Sequence, residues 1–310
     1  NYILNNIPFP ITEERICFAE ECLPLYREYF PEILDEIQGI ADGQSCDVKL
    51  LYGLLFSIYA MPPACQCSCF AVSNEHSIFF GRNSDFLTAI EKNNLNIIYR
   101  FSSGSFSFTG NTTAFVQMED GVNEKGLAVG LTSVYPPSIR PGMNAGLLLR
   151  FFLEKCSSVD EVIIYLNKFP ISSAQTFTVA DASGNLAVLE CYCDKVIVLR
   201  PTKEKPYVCA TNRFHSDELS SVNIKEIDDW QAETRYQTLV NFLEAHAKEM
   251  SLEESKELLR GEHGFLCQYD RFTGKDTVWS VLYDLKERKI YRTEKNPSRT
   301  DYKLDQRFLF

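Results

Sequence analysis

The chain has 310 residues, of which 45% are hydrophobic and 13% aromatic, so we expect a large packed core rather than a disordered chain. Its net charge of −11 argues against non-specific binding to nucleic acid and against docking on an anionic membrane. No apolar run approaches the about 20 residues that a membrane-spanning helix needs.

The chain contains 11 cysteines, an odd number, spread from Cys17 to Cys267. Secreted disulfide scaffolds are usually short and have evenly paired cysteines, which this chain does not match. We therefore expect a reducing, cytoplasmic location. Most of the cysteines are expected to act as small buried apolar groups.

Residues 12–60 are predicted to be mainly helical, because apolar residues recur at helical spacing from 16 to 26 and again from 33 to 40. A stop is expected at 41–43, followed by a new helix over 47–51 with its cap near Ser45. The Pro-rich sequence MPPA at 61–64 then breaks the helical pattern.

From Cys67 onwards the hydrophobic period changes to two, which predicts strands. The predicted strands are 67–73, 77–81, 96–101, 114–118, 127–132, 177–182, 186–192, 195–200, 207–211, 277–283 and 289–293. Helices are predicted near 144–156, 158–168 and 234–249. Many hairpins with a few helices between them indicate an α+β layered fold, and 67–310 should form a single domain.

The first predicted hairpin contains the strongest candidates for catalytic residues. It brings Arg82 and Asp85 back beside Cys67, and a thiol next to a fixed cation has a lowered pKa and is a candidate nucleophile. Cys65 and Cys69 share the strand face of Cys67, because all three alternate. From these residues alone, a purely structural role stays open. A metal site is a third interpretation, although the spacing does not match the usual C-x₂₋₄-C pattern.

Several segments, in this order, resemble the penicillin acyltransferase branch of the cysteine N-terminal nucleophile (Ntn) hydrolases. The wider superfamily includes choloylglycine hydrolases, penicillin V acylases and acid ceramidase. The segments are PEILDEIQGIADG at 31–43, the hairpin with Cys67 and GRNSD at 81–85, NEKGLAV at 123–129, FTVADASG at 177–184 with Glu190, ATNRF at 210–214 and ETRY at 233–236.

This resemblance implies a four-layer αββα sandwich with a helical pro-segment, residues 1–66, and a catalytic domain, residues 67–310. It further implies self-cleavage between Gln66 and Cys67. The Cys67 thiol then attacks amide carbonyls, and the freed α-amine of the same residue serves as the base, with an ordinary pKa of about 7.7–8. No cofactor and no metal are expected.

The resemblance also implies roles for the other site residues. Arg82 would stabilise the thiolate, and Asp85 would hold the α-amine. Asn212 would donate its side-chain amide to the oxyanion, and the backbone N–H of Thr132 would be the second donor. Arg235 would be a further arginine of the site. The alternative interpretation is that it lies on a solvated helix face.

Three further residues near the matched segments are given no catalytic role. His215 follows a strand, where lone histidines are usually surface or turn residues. Asn123 and Glu190 are expected to close turns and satisfy backbone groups.

The predicted function is a self-processing cysteine amidohydrolase, which cleaves a linear C–N amide bond of an N-acyl or peptide-like small molecule through a thioester. The alternatives are an acyltransferase that passes the acyl group to an amine, and a non-catalytic thiol or metal-binding protein. The expected partner is the small-molecule amide, with neither nucleic acid nor membrane. The sequence leaves open whether the chain forms a homo-oligomer.

Overall fold

The computed structural model describes residues 4, 7, 9–61, 65–102, 104–193 and 195–310, and the backbone alone of Cys65. Within these residues no helix is both long enough and apolar enough to cross a membrane. The α-helices are α1 (Glu13–Tyr29), α2 (Pro31–Gln44), α3 (Val48–Ser57), α4 (Ala145–Lys155), α5 (Val159–Leu166), α6 (Ala232–His246) and α7 (Leu252–Arg260).

The strands form two antiparallel sheets. The first has the order β10-β1-β2-β11-β12-β13 and the second the order β3-β4-β5-β6-β7-β8-β9. The strands are β1 (Cys65–Ser73), β2 (Ile78–Leu87), β3 (Leu95–Tyr99), β4 (Phe108–Thr112), β5 (Asp120–Asn123), β6 (Ala128–Ser133), β7 (Ala174–Ala180), β8 (Leu186–Tyr192), β9 (Lys195–Leu199), β10 (Tyr207–Ala210), β11 (Lys275–Asp284), β12 (Lys289–Thr293) and β13 (Lys303–Asp305).

The two sheets pack face to face, with β1 lying against β6 and β7. Alternate residues of the strands fill the space between the sheets, among them Ala71, Phe80 and Val188. Helices α6 and α7 cover the outer face of the first sheet, and α4 and α5 cover the outer face of the second. This is the predicted α+β, four-layer αββα sandwich.

The three helices of the predicted pro-segment pack against α4, outside the second sheet. The ring of Phe30 meets that of Phe151 edge to face, with centroids 5.2 Å apart. The backbone N–H of Asn144, the N-cap of α4, donates to the Tyr26 hydroxyl at 2.8 Å. Nη2 of Arg150 lies 2.9 Å from Oε2 of Glu36. The apolar faces seen in residues 12–60 are therefore buried against the predicted catalytic domain.

The element predictions hold for most of the chain, and the predicted helical region over 12–60 forms α1, α2 and α3. Ser45 itself is the left-handed C-cap of α2, and Asp47, two residues further on, caps α3 through its side chain. The pattern missed β4, β5, α7 and β13.

The predicted strand at 114–118 is wrong. Phe115 has a φ of 56°, which is incompatible with an extended strand, and Gln117 N–H bonds back to Ala114 O as a turn. Met118 N–H donates to Gly146 O of α4, and the Gln117 side chain donates to Leu55 O of α3. The segment is apolar because it packs between the pro-segment and α4.

Ten of the cysteines have described side chains. Six of them are buried: Cys22, Cys67, Cys69, Cys156, Cys191 and Cys267. This agrees with the expectation that most cysteines act as small buried apolar groups.

Candidate active site

The hairpin of β1 and β2 sets which side chains meet. Cys67 lies opposite Ser84, Cys69 opposite Arg82 and Gln66 opposite Asp85. Because directly opposite residues share a sheet face, Arg82 is on the face of Cys67 and Asp85 is on the other face. Strand β2 runs to Leu87, so both residues lie inside the strand and not after its end at 81 as predicted.

Arg82 is fully buried and connects the thiol to the second sheet. Its Nη2 lies 2.9 Å from Cys67 Sγ, and its Nε and Nη2 donate to Leu131 O at 3.1 and 2.9 Å. Its Nη1 donates to Asp120 Oδ2 at 2.9 Å, and Glu119 Oε2 lies 3.9 Å from Nη2. The predicted neighbourhood of Cys67 and Arg82 is therefore present.

The predicted lowering of the thiol pKa is not found in the intact chain. Burial raises the pKa of Cys67 to about 12, and the positive charge of Arg82 only partly opposes this. The nearby carboxylates of Glu119 and Asp85 add to the increase. In the uncleaved chain the thiol is thus neutral at pH 7, and a base is needed to make it a nucleophile.

The backbone of Cys67 is held by two of the predicted site residues. Its N–H donates to Asn212 Oδ1 at 2.9 Å, and its C=O accepts from Arg235 Nη1 at 2.6 Å. Arg235 Nη2 also donates to Asn212 Oδ1 at 2.9 Å, while Asn212 Nδ2 donates to Ser133 O at 2.7 Å. Both Asn212 and Arg235 are buried. The alternative prediction, which put Arg235 on a solvated helix face, is therefore wrong.

Asp85 is on the same side of the first sheet as Arg235. Its Oδ2 accepts from the Tyr269 hydroxyl at 3.0 Å and its Oδ1 from the Thr277 hydroxyl at 2.6 Å. Arg235 Nη1 lies 3.7 Å from Oδ2. Burial raises the pKa of Asp85 to about 6, against the opposing charge of Arg235. In the intact chain it is Asn212, not Asp85, that accepts from the Cys67 nitrogen.

Thr132 is buried in β6, but its backbone N–H faces away from the thiol. Leu131 N–H bonds to Glu119 O on the β5 side, whereas Val134 N–H bonds to Ala174 O on the β7 side. Because backbone groups alternate along a strand, the N–H of Thr132 points towards Thr176, its partner in β7. Its hydroxyl also bonds to that of Thr176. The geometry does not bring Thr132 to the site as a donor.

The sequence analysis missed the acidic pair Glu119 and Asp120, of which Asp120 is the first residue of β5. Asp120 accepts from Arg82, from Trp279 Nε1 at 2.8 Å and from the Tyr283 hydroxyl at 2.9 Å. Glu119 accepts from the backbone and hydroxyl of Thr113 at 3.0 and 2.8 Å. Burial raises the pKa of Glu119. Two adjacent acids directly after an apolar run were the available signal.

The remaining residues have structural surroundings, as expected. The side chain of Asn123 accepts from Lys125 N and Leu127 N and donates to Leu153 O and Cys156 O. Glu190 accepts from the backbone of His215 at 2.6 Å and from Ser216. Burial lowers the pKa of His215, whose ring stacks on that of Tyr236.

Of the three cysteines of the candidate metal site, Cys67 and Cys69 have described side chains, and the side chain of Cys65 lies outside the described part of the structure. Among the described residues, no group of three or more His, Cys, Asp or Glu side chains is arranged to hold a metal ion. Arg82, rather than a metal ligand, is the group that lies beside the Cys67 sulfur.

Three solved structures share the fold. The N-acylethanolamine-hydrolyzing acid amidase ortholog of Caenorhabditis elegans is 15% identical, with a TM-score of 0.52 over 71% of this chain and 93% of that chain. A mutant of conjugated bile acid hydrolase from Clostridium perfringens is 15% identical, with a TM-score of 0.55 over 78% and 97%. Penicillin V acylase from Agrobacterium tumefaciens is 17% identical, with a TM-score of 0.53 over 74% and 83%. At these identities the likeness establishes the fold.

Sequence comparison identifies the family. No curated protein sequence is significantly similar to the whole chain or a part of it. The profile described as "Acyl-coenzyme A:6-aminopenicillanic acid acyl-transferase" matches residues 72–299, most of the chain, starting just after Cys67. With the site and fold described above, this match shows that the chain belongs to the acyl-coenzyme A:6-aminopenicillanic acid acyl-transferase family, a branch of the Ntn hydrolases that cleave amides or transfer acyl groups.

Proposed function

We propose that this protein is a self-processing cysteine amidohydrolase, which cleaves a linear C–N amide bond through a thioester on Cys67. The observation that carries the proposal is the arrangement around one residue. The Cys67 sulfur lies beside Arg82, while its backbone N–H and C=O are held by Asn212 and Arg235. A residue fixed at both its thiol and its nitrogen suits a mechanism that uses both.

Self-cleavage comes first in this proposal. The Cys67 sulfur attacks the carbonyl carbon of Gln66, a C–S bond forms and the Gln66–Cys67 C–N bond breaks. The thiol proton ends on the released nitrogen, which becomes the α-amine. Water then hydrolyses the thioester, leaving a carboxylate on Gln66 and a free thiol on Cys67.

Turnover of an external amide uses the same groups. An α-amine ordinarily has a pKa of about 7.7–8, which suits a general base near neutral pH. Its nitrogen already lies 2.9 Å from Asn212 Oδ1. Asn212 Nδ2 carries two hydrogens and Ser133 O accepts one, so the second is available to an oxyanion. In this proposal the carboxylate of Asp85 orients the α-amine after cleavage.

Intact mass spectrometry of the purified protein tests self-cleavage directly. We expect two fragments, 1–66 and 67–310, from the natural chain and one intact chain from Cys67→Ala. Cys69→Ala is the matched control, because Cys69 is also buried in β1 and on the same face. It should cleave normally and lose only about 1–2 kcal/mol of stability for so small a group.

Turnover is measured with N-acyl amino acids, N-acylethanolamines, penicillin V and conjugated bile salts. We expect hydrolysis of a member of this panel by the natural protein and by Cys69→Ala, and none by Cys67→Ala. A natural protein that stays intact by mass and still hydrolyses amides at full rate would contradict the mechanism. Inactivation by iodoacetamide that labels only Cys69 would show that the nucleophile is wrongly assigned.

Acyl transfer is the second candidate, because the family is described by an acyl-transferase activity. An amine that enters the site can intercept the same thioester instead of water. Adding primary amines during turnover and separating the amide product from the free acid measures the ratio of the two reactions. An amide product that dominates at millimolar amine would make acyl transfer the main activity.

A further inference from the structure

Strand β1 begins before the candidate nucleophile. Cys65 and Gln66 continue it for two residues on the N-terminal side of Cys67, with Cys65 opposite Phe86 and Gln66 opposite Asp85 in β2. If self-cleavage occurs, these two residues no longer belong to the covalent strand. The part of β2 opposite them then becomes a place where another extended chain can pair.

The hydrogen bonds of β1 show which residue uses this part of β2. Cys67 directs its N–H to Asn212, and Ser73 N–H donates to Pro206 O, both on the β10 side. Asn74 N–H donates instead to Ser77 O within the hairpin. Because the direction alternates from residue to residue, the N–H and C=O of Gln66 face the backbone of Asp85.

Asp85 is fully buried, so its backbone groups need partners. In the intact chain, its C=O accepts from the N–H of Gln66 and its N–H donates to the C=O of Gln66, by the alternation above. When Gln66 leaves, one buried donor and one buried acceptor lose their partners, which is costly away from water. A substrate that supplies an α-N–H at this position restores the bond to Asp85 O.

We propose that the mature site prefers an N-acylated α-aminoacyl group, such as a peptidyl group, as the acyl part of its substrate. The α-N–H of this group donates to Asp85 O, and the group lies as an added strand residue along β2. The inference rests on the proposed function. Alkanoyl and arylacetyl groups lack an α-N–H and leave Asp85 O without a partner.

The chemistry of self-cleavage supports this preference. The thioester that forms first carries the Gln66 carbonyl on Cys67 sulfur, so it is itself an acyl-enzyme whose acyl group is a peptidyl glutamine. The same site then completes its hydrolysis. Gln66 is 2% exposed and shares its sheet face with Asp85, so this position encloses a glutamine side chain in the uncleaved chain, although its Oε1 accepts no hydrogen bond from the described residues.

The test measures the hydrolysis of different p-nitroanilides by the cleaved natural protein. Cys67→Ala serves as the blank. The reference substrate is acetyl-Ala-Gln p-nitroanilide. The matched analogue is 4-carbamoylbutanoyl p-nitroanilide, which keeps the carbonyl and the side-chain amide of glutamine and lacks the α-nitrogen. We expect kcat/KM to fall at least about tenfold for this analogue, as the loss of a buried hydrogen bond predicts.

N-methylation separates the hydrogen bond from general peptide recognition. Methylating the glutamine nitrogen should lower kcat/KM at least about tenfold. Methylating the alanine nitrogen is the control and should change it less than about threefold, because the residue matching Cys65 faces away from β2 by the same alternation.

Two negative outcomes are distinguishable. Cys67-dependent hydrolysis of octanoyl, phenylacetyl or 4-carbamoylbutanoyl anilides that is as fast as that of the peptidyl anilide would overturn this inference and leave the amidohydrolase intact. Equal effects of the two N-methyl groups would also overturn it. A cleaved protein with no Cys67-dependent turnover of any anilide would count against the proposed amidohydrolase itself.

Discussion

Asn212 uses both ends of its side-chain amide at the site. Its oxygen accepts from Cys67 N and from Arg235, and its nitrogen donates to Ser133 O. Asn212→Asp keeps an acceptor for the first two groups and loses the donor. Since a donor to the oxyanion is worth about 10²–10³ in rate, we expect kcat to fall by at least that factor with a much smaller change in KM. Steady-state kinetics on an amide that the natural protein hydrolyses, with a thermal melt, gives the measurement.

Asn123→Asp is the matched control for this change. Asn123 is equally buried, and its amide also accepts through oxygen and donates through nitrogen, but its partners are Leu127 N and Leu153 O and not the thiol residue. It should lower stability and leave kcat nearly unchanged. An Asn212→Asp variant that folds and keeps kcat within about threefold, far from the expected factor, would make Asn212 a structural residue.

Asp85 predicts a pH dependence of stability. Burial raises its folded-state pKa to about 6, above the ordinary value of 3.8. Between these values the folded protein binds the proton more tightly than the unfolded chain, so this contribution to the free energy of unfolding falls as pH rises from about 4 to about 6. A shift of this size corresponds to about 2–3 kcal/mol. Asp85→Asn cannot ionise and should lack this part of the slope.

The measurement uses urea unfolding at pH 4, 5, 6 and 7, with Cys67→Ala in both proteins so that the chain stays intact. The free energy of unfolding of the Asp85 protein minus that of Asp85→Asn should fall by about 2–3 kcal/mol from pH 4 to pH 7. Two parallel pH curves would mean that Asp85 ionises in the folded protein as it does in the unfolded chain.

Among the elements, the predicted pro-segment is connected to α4 through a buried hydroxyl. The backbone N–H of Asn144 donates to the Tyr26 hydroxyl, and the Tyr26 ring stacks on Phe56 with centroids 4.0 Å apart. Tyr26→Phe keeps the ring and leaves the buried N–H without its acceptor. We expect a loss of about 1–3 kcal/mol in the free energy of unfolding, measured by urea in the intact Cys67→Ala chain.

Tyr52→Phe is the control for this prediction. Its ring also stacks on Phe56, with centroids 5.3 Å apart, but Tyr52 is partly exposed. Removing its hydroxyl should change stability by less than about 0.5 kcal/mol. Equal losses in the free energy of unfolding for the two variants would show that the hydrogen bond of the Tyr26 hydroxyl contributes nothing specific to the contact between α1 and α4.

The strand pattern explains which parts of the site could be predicted. Alternation and the polar turn predicted the hairpin, and with it the contact between Cys67 and Arg82. The polar run from Arg82 to Asp85 read as a strand end, because polar residues rarely lie inside a buried strand. Once the strand is known to continue, the separation of three residues places Asp85 on the opposite face.

Other features of the site depend on tertiary structure. The pKa of Cys67 follows from complete burial, which the sequence does not express. Glu119 and Asp120 reach Arg82 only because the second sheet packs on the first. The order of strands within the second sheet turns the N–H of Thr132 towards β7 and away from the thiol.

In the whole molecule, the candidate site lies where both sheets meet, and the predicted pro-segment binds residues close to it. Arg82 of the first sheet binds Leu131 O and Asp120 of the second. Gln117 and Asn144 donate to Leu55 O of α3, and the Ser173 hydroxyl donates to Ala60 O. The pro-segment is therefore held up to residue 60, a few residues before the proposed cleavage point, by groups of the predicted catalytic domain.

These contacts predict that fragments 1–66 and 67–310 stay together after self-cleavage. Buried apolar side chains of α1 to α3, among them Tyr26, Ile37 and Leu54, share one core with α4, and exposing them to water would be unfavourable. Both fragments should elute together in size-exclusion chromatography at the volume of the uncleaved Cys67→Ala chain. They should separate only in denaturant, with a midpoint that rises with protein concentration, because unfolding of the cleaved protein releases two chains. Loss of fragment 1–66 in native buffer, with the amidase activity retained by 67–310 alone, would show that the pro-segment is dispensable once the bond is cut.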